Sequence, residues 1–127
     1  MVAGRELRIV LQTGRLTPPD SLVRDLGAIQ DISIDVRRLG TSFLGGGVAT
    51  FVIIATDNAN TALLADILHN HTKRLKVRGG DDLIILLGGR INTDEEEVGF
   101  RDVQCRKQVS LKDKSPDEIR GLLEEGE

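Results

Sequence analysis

The run Val48-Ala-Thr-Phe-Val-Ile-Ile-Ala55 is apolar at every position except Thr50. A strand with one solvated face alternates apolar and polar side chains. An unbroken apolar run of this length, flanked by glycines and by Thr56-Asp-Asn58, therefore predicts a central strand covered on both faces. The segment before it alternates strictly. Ile32-Ser-Ile-Asp-Val-Arg37 puts Ile32, Ile34 and Val36 on one face and Ser33, Asp35 and Arg37 on the other, which is the pattern of a half-buried strand. The loop Gly40-Thr-Ser-Phe-Leu-Gly-Gly-Gly47 joins the two.

Working outward, Glu6-Leu-Arg-Ile-Val-Leu-Gln12 reads as a first strand, ended by Thr13-Gly14. Thr17-Pro-Pro-Asp20 has the form of a helix start, with Thr17 as N-cap and Pro18 at the first helical position. Leu22, Val23 and Leu26 give that helix an apolar face, and Gly27 stops it. After Thr56-Asp-Asn58, the positions Leu64, Ile67, Leu68, His71 and Leu75 follow helical spacing, with Lys73 and Arg74 placed for the C-terminal end. Leu75-Lys-Val-Arg78 and Leu83-Ile-Ile-Leu-Leu87 flank Gly79-Gly-Asp-Asp82, which predicts two strands around a hairpin or sharp turn. From Gly88 to Leu111 the pattern is interrupted by Asp94-Glu-Glu-Glu97. This section reads as an excursion, centred on residues 90–108, in which Val103, Cys105 and Val109 mark one strand. Ser115-Pro-Asp-Glu118 is a capping box, and Ile119, Leu122 and Leu123 complete a short terminal helix over residues 115–124.

The order strand, helix, strand, strand, helix, strand predicts an α+β fold: a ferredoxin-like two-layer sandwich, β-α-β-β-α-β, decorated by an extra strand and a C-terminal helix. One domain spans residues 1–127. The expected core is Leu7, Ile9, Leu11, Leu22, Leu26, Ile34, Val36, Phe51, Ile53, Leu64, Ile67, Leu68 and Ile85.

Composition narrows the function classes. Apolar residues make up 39% of the 127, and the only aromatic rings are Phe43, Phe51 and Phe100, so the core is aliphatic. The net charge of -3 is uneven: residues 1–91 carry 11 basic and 9 acidic side chains, residues 92–127 carry 6 and 11. Neither a clustered basic footprint nor a set of stacking aromatics is present, so nucleic acid is not an expected partner. The most apolar stretch, Phe43 to Ala55, is 13 residues long and falls short of the ~20 that span a bilayer, so no membrane partner is expected either. A lone cysteine, Cys105, suits a reducing compartment, and the opening residues lack the basic and apolar regions of a signal peptide. A cytoplasmic location is the expectation.

Candidate chemistry is sparse. His69 and His71 lie two apart in one predicted helix and face different directions, so they do not form a metal pair; His71 belongs near the apolar face and His69 in solvent. Asp94 to Glu97 lack the alternating spacing that aims carboxylates at one ion, and read as a solvated loop. Cys105 has no evident activating partner and reads as a structural thiol. No cofactor or metal is expected. Two loops remain. Arg15, at a strand-to-helix connection, together with Thr41 and Ser42 of the glycine-rich loop, could hold an anion such as a phosphate-bearing ligand. Phe43 and Leu44, adjacent apolar residues at a predicted loop tip, either anchor a partner's pocket or fold back over their own sheet.

The ordered features are the opening strand, the capped short helix, the alternating strand ending near Arg37-Arg38, and the glycine loop into Val48 to Ala55. They continue with a helix carrying Lys73-Arg74, a strand hairpin, and a last helix introduced by Ser-Pro-Asp-Glu. Together they resemble the effector-associated constant component domains of bacterial conflict systems. That resemblance implies a non-enzymatic adaptor that couples to an effector domain; sheet edges able to accept a partner strand and the Phe43-Leu44 pair lead to the expectation of a protein partner or a homo-oligomer. The sequence departs from the family pattern at Arg90 to Gln108, and no functional residue is carried across. The expectation is a protein–protein interaction module; the alternative is a small-ligand-binding or enzymatic domain built on the glycine-rich loops.

Overall fold

The computed structural model describes residues 6–13, 20–39, 50–78 and 83–125, with the side chains of residues 39, 75–78 and 100 left aside. The strands are β1 (Glu6–Thr13), β2 (Ser33–Leu39), β3 (Thr50–Asp57), β4 (Leu83–Leu87), β5 (Arg90–Ile91), β6 (Glu97–Val98), β7 (Val103–Gln104) and β8 (Lys107–Ser110). The helices are α1 (Asp20–Leu26), α2 (Thr61–Arg78) and α3 (Pro116–Glu125). A mixed six-stranded sheet runs in the order β6-β2-β3-β1-β4-β8, and β5 pairs with β7 in a separate two-stranded ribbon. All pairings in the large sheet are antiparallel except the short parallel contact between β2 and β6.

Strand alternation sorts the apolar residues onto two faces. Leu7, Ile9 and Leu11 of β1, Val52 and Ile54 of β3, and Leu83, Ile85 and Leu87 of β4 face the helices. They pack there on Leu22 and Leu26 of α1, Leu64, Ala65 and Leu68 of α2, and Ile119 and Leu123 of α3. The opposite face carries a smaller cluster of Val10, Phe51, Leu86 and Val98, flanked by Ile53, Ile84, Ile91, Val103 and Cys105. The apolar run in β3 is thus explained by cover on both faces. Of the thirteen expected core residues, nine are buried; Ile34, Val36, Ile53 and Ile67 are half-buried. Ile34 and Val36 lie on β2, which borders only the two-residue β6 on its outer side, so a neighbouring layer shields them incompletely.

Local signals set the element ends. Ser115 and Glu118 bond reciprocally, the Glu118 amide to Ser115 Oγ and the Ser115 amide to Glu118 Oε1, both at 3.2 Å. These bonds hold the Glu118 carboxyl below its ordinary range. Asp57 is an N-cap, its Oδ1 accepting from the Ala59 amide at 2.8 Å, and it opens a 3-10 turn over Asn58–Asn60 that leads into α2. The expected strand at Leu75 to Arg78 is instead the last turn of α2. Lys and Arg are good helix formers, and no breaker precedes Gly79, so the helix simply continues. Thr17 and Pro18 lie outside the described residues.

The stretch from Gly88 to Leu111 differs most from expectation. In place of one strand it holds β5, β6, β7, β8 and a 3-10 turn over Phe100–Asp102. Its pieces are two to four residues long, and such lengths carry no readable period.

Candidate functional site

The Gly88 to Glu97 segment crosses the face of the sheet that the helices leave open. At its start, Gly88 takes φ +66°, a left-handed conformation that disfavours side chains. Gly89 lies so close to the sheet that a Cβ there would meet Leu86 O at 2.8 Å and Val10 Cβ at 3.0 Å. The chain then passes over β1 and β3 and is tied down on β2. Arg37 makes that tie: its Nη1 donates to the carbonyl oxygens of Thr93 (3.0 Å) and Glu95, while Nε and Nη2 donate to Asp35 Oδ2 at 2.9 and 2.7 Å. Only 13% of the Arg37 side chain is exposed, and its bond to Asp35 holds the guanidinium even more firmly in its charged form. The Arg38 amide adds a bond to Glu96 O at 2.9 Å.

A cleft of about 690 Å³ opens along this crossing. Its wall is the chain from Gly88 to Asp94, and its floor is the outer face of β1, β3 and β2: Arg8, Val10, Ile53, Ala55, Ser33 and Asp35. Strand register orders the floor. Arg8, Ala55 and Ser33 lie abreast in one row, and Val10, Ile53 and Asp35 in the next. The Arg8 and Arg90 side chains line the cleft with no ion pair or hydrogen bond to another described residue, whereas the Arg37 guanidinium is bonded to Asp35, Thr93 and Glu95. These groups are donors and charges suited to recognition: guanidiniums, the Asn92 amide, and the hydroxyls of Ser33 and Thr93.

The residues singled out in the sequence fall elsewhere. Arg15, Thr41, Ser42, Phe43 and Leu44 lie outside the described residues. Asp94 to Glu97 are exposed, and Asp94 reaches the cleft rim. Cys105 is half-buried against the smaller apolar cluster. His69 is half-buried, not solvated, because its Nδ1 sits 3.0 Å from Lys114 O and links α2 to the approach of α3. Among the described residues, no group of three or more His, Cys, Asp and Glu side chains comes together, and no helix is long and apolar enough to cross a membrane. Arg8, Arg37 and Arg90 escaped the sequence reading. The period-two pattern of β1 places Arg8 on the face away from Leu7 and Ile9, but nothing in it reveals that a distant segment walls that face.

His71 is 4% exposed, and neither ring nitrogen meets a hydrogen-bond partner among the described residues. Burial lowers its pKa, Arg74 lowers it further, and Asp25 opposes them. The unfolded chain therefore takes up this proton first as pH falls below about 6.5. Stability is full above that value and declines as pH drops toward the lower folded pKa. The protein should melt at a lower temperature at pH 5 than at pH 7.5, and His71→Leu should flatten that difference; an unaltered pH dependence in the variant would contradict this.

Compared with protein-family models, curated proteins and solved structures, the chain finds no match.

Proposed function

We propose that this chain is a non-enzymatic protein-binding module of the adaptor kind, and that its partner seats in the cleft on the open sheet face. The observation that carries this reading is a half-open cleft in which the guanidiniums of Arg8 and Arg90, unpaired among the described residues, stand beside that of Arg37, which is bonded to Asp35. Arginine is enriched at binding hot spots, where its fork of donors meets a partner's acceptors. The neighbouring half-buried Ile53 offers apolar area to bury. A ferredoxin-like core is part of the same reading, supported by the central order β2-β3-β1-β4 with antiparallel neighbours. The resemblance to effector-associated domains points to a partner that belongs to, or recruits, an effector.

The test is capture from the native host with the full chain as bait, compared with Arg8→Ala/Arg90→Ala and, on the helical side, Arg24→Ala. All three arginines are exposed, so the variants should melt like the parent. A partner retained by the parent and by Arg24→Ala but lost by the double variant is the expected result. Equal capture by the double variant would overturn the proposal.

A further inference from the structure

We propose that the β1 end of the cleft is an oxyanion site, in which a phosphate or carboxylate group of the ligand is held by Arg8 and Arg90. This deepens the reading of the cleft as a binding surface and rests on it.

The charges of the cleft are separated along its length. At the β2 end, Asp35 is bonded to Arg37, and Asp94 and Glu96 lie within the field of the same guanidinium. At the other end, the chain leaves β4 through Gly88 and Gly89, of which Gly89 lies close against β1 at Val10. Arg8, two residues along β1 on the same face, and Arg90, next after Gly89, are the charged groups lining the cleft there. Glu6 shares the outer face of β1 but forms no ion pair with Arg8 among the described residues, and Asp57, paired across from it, accepts from the Ala59 amide. Two like charges therefore face one concavity, with no counter-charge among the described residues bonded to either.

Exposed arginines on a convex surface are common and need no ligand. In a cleft with low-dielectric walls, field lines concentrate, and two cations there raise the local concentration of anions. Guanidinium is planar and always charged, and its paired N–H groups match the oxygens of phosphate and carboxylate. The floor next to Arg8 is built from the short side chains Ala55 and Ser33, which leave room for the group to approach. Asn92 and Thr93 line the same wall and can bond the remainder of the ligand.

The experiment is a titration of the isotope-labelled full chain followed by amide NMR. One arm uses inorganic phosphate and pyrophosphate, a second uses a short glutamate-rich peptide, and chloride at equal ionic strength is the reference. The expected result is saturable shifts centred on Arg8 and on Gly88 to Arg90, absent with chloride. Affinity should fall roughly tenfold or more in Arg8→Ala/Arg90→Ala, less in the double lysine variant, and remain unchanged in Arg24→Ala. Binding of pyrophosphate alone assigns the site to free phosphate compounds, and binding of the peptide as well assigns it to anionic groups borne by a protein; both support an oxyanion site. No saturable shift in either arm, or equal binding by the alanine double variant, would overturn it. Because this readout uses no native partner, loss of anion binding with partner capture still dependent on Arg8 and Arg90 would sink the oxyanion site alone. Anion binding with unchanged capture would sink the adaptor reading alone.

Discussion

Leu68→Ala should lower the free energy of unfolding by about 2–5 kcal/mol, measured as a shift in the denaturant midpoint with unchanged slope. Leu68 is fully buried and belongs to the cluster between α2 and the sheet. Truncation removes apolar contacts and leaves a cavity that rigid neighbours fill only in part. Ile67, next in sequence, is half-buried and packs at the margin of the same cluster, so Ile67→Ala should cost less. A loss below about 0.5 kcal/mol for Leu68→Ala, the range of surface substitutions, would mean that the phase of α2 is wrong.

Gly89→Ala should destabilise by about 1–3 kcal/mol, the usual cost of overpacking. The added Cβ would lie 2.8 Å from a backbone oxygen and 2.9 Å from Leu86 Cβ, with Val10 Cβ at 3.0 Å, so the crossing segment must lift from the sheet. Gly121→Ala is the counterpart. It sits within α3, and a Cβ there meets nothing within 4 Å, so helix propensity should make the chain more stable by about 0.5–1 kcal/mol. Thermal melts of the two variants check both signs. A neutral Gly89→Ala would mean that the segment does not press on β1 as described.

Long periodic elements were legible in the sequence because period and burial agree in them. Ile32 and Ile34 do face the helical layer, Leu64 and Leu68 mark the buried side of α2, and Ser115 with Glu118 announces α3 through a bond pair that is local in sequence. The apolar run of β3 indicated cover on both faces, yet it could not say what the second cover was. That cover is built from Ile91, Val98, Val103 and Cys105, scattered over short pieces whose placement depends on Arg37 reaching Thr93 and Glu95 from 56 and 58 residues away. Long-range bonds of that kind leave no period. The cleft was hidden for the same reason: Arg8 and Arg90 are far apart in sequence, and only the crossing segment brings them to one concavity. At Leu75 to Arg78 the error was different, since a short alternating tetrapeptide suits a strand or the end of a helix equally, and the preceding α2 decided the matter by propagation.

The claim that the open sheet face is the working surface is tested most directly by hydrogen–deuterium exchange on the full chain with and without its captured partner. The account predicts added protection in residues 88–94 and in the flanking parts of β1 and β2, with α1, α2 and α3 unchanged. Protection confined to the helical face, with residues 88–94 exchanging as in the free chain, would contradict it.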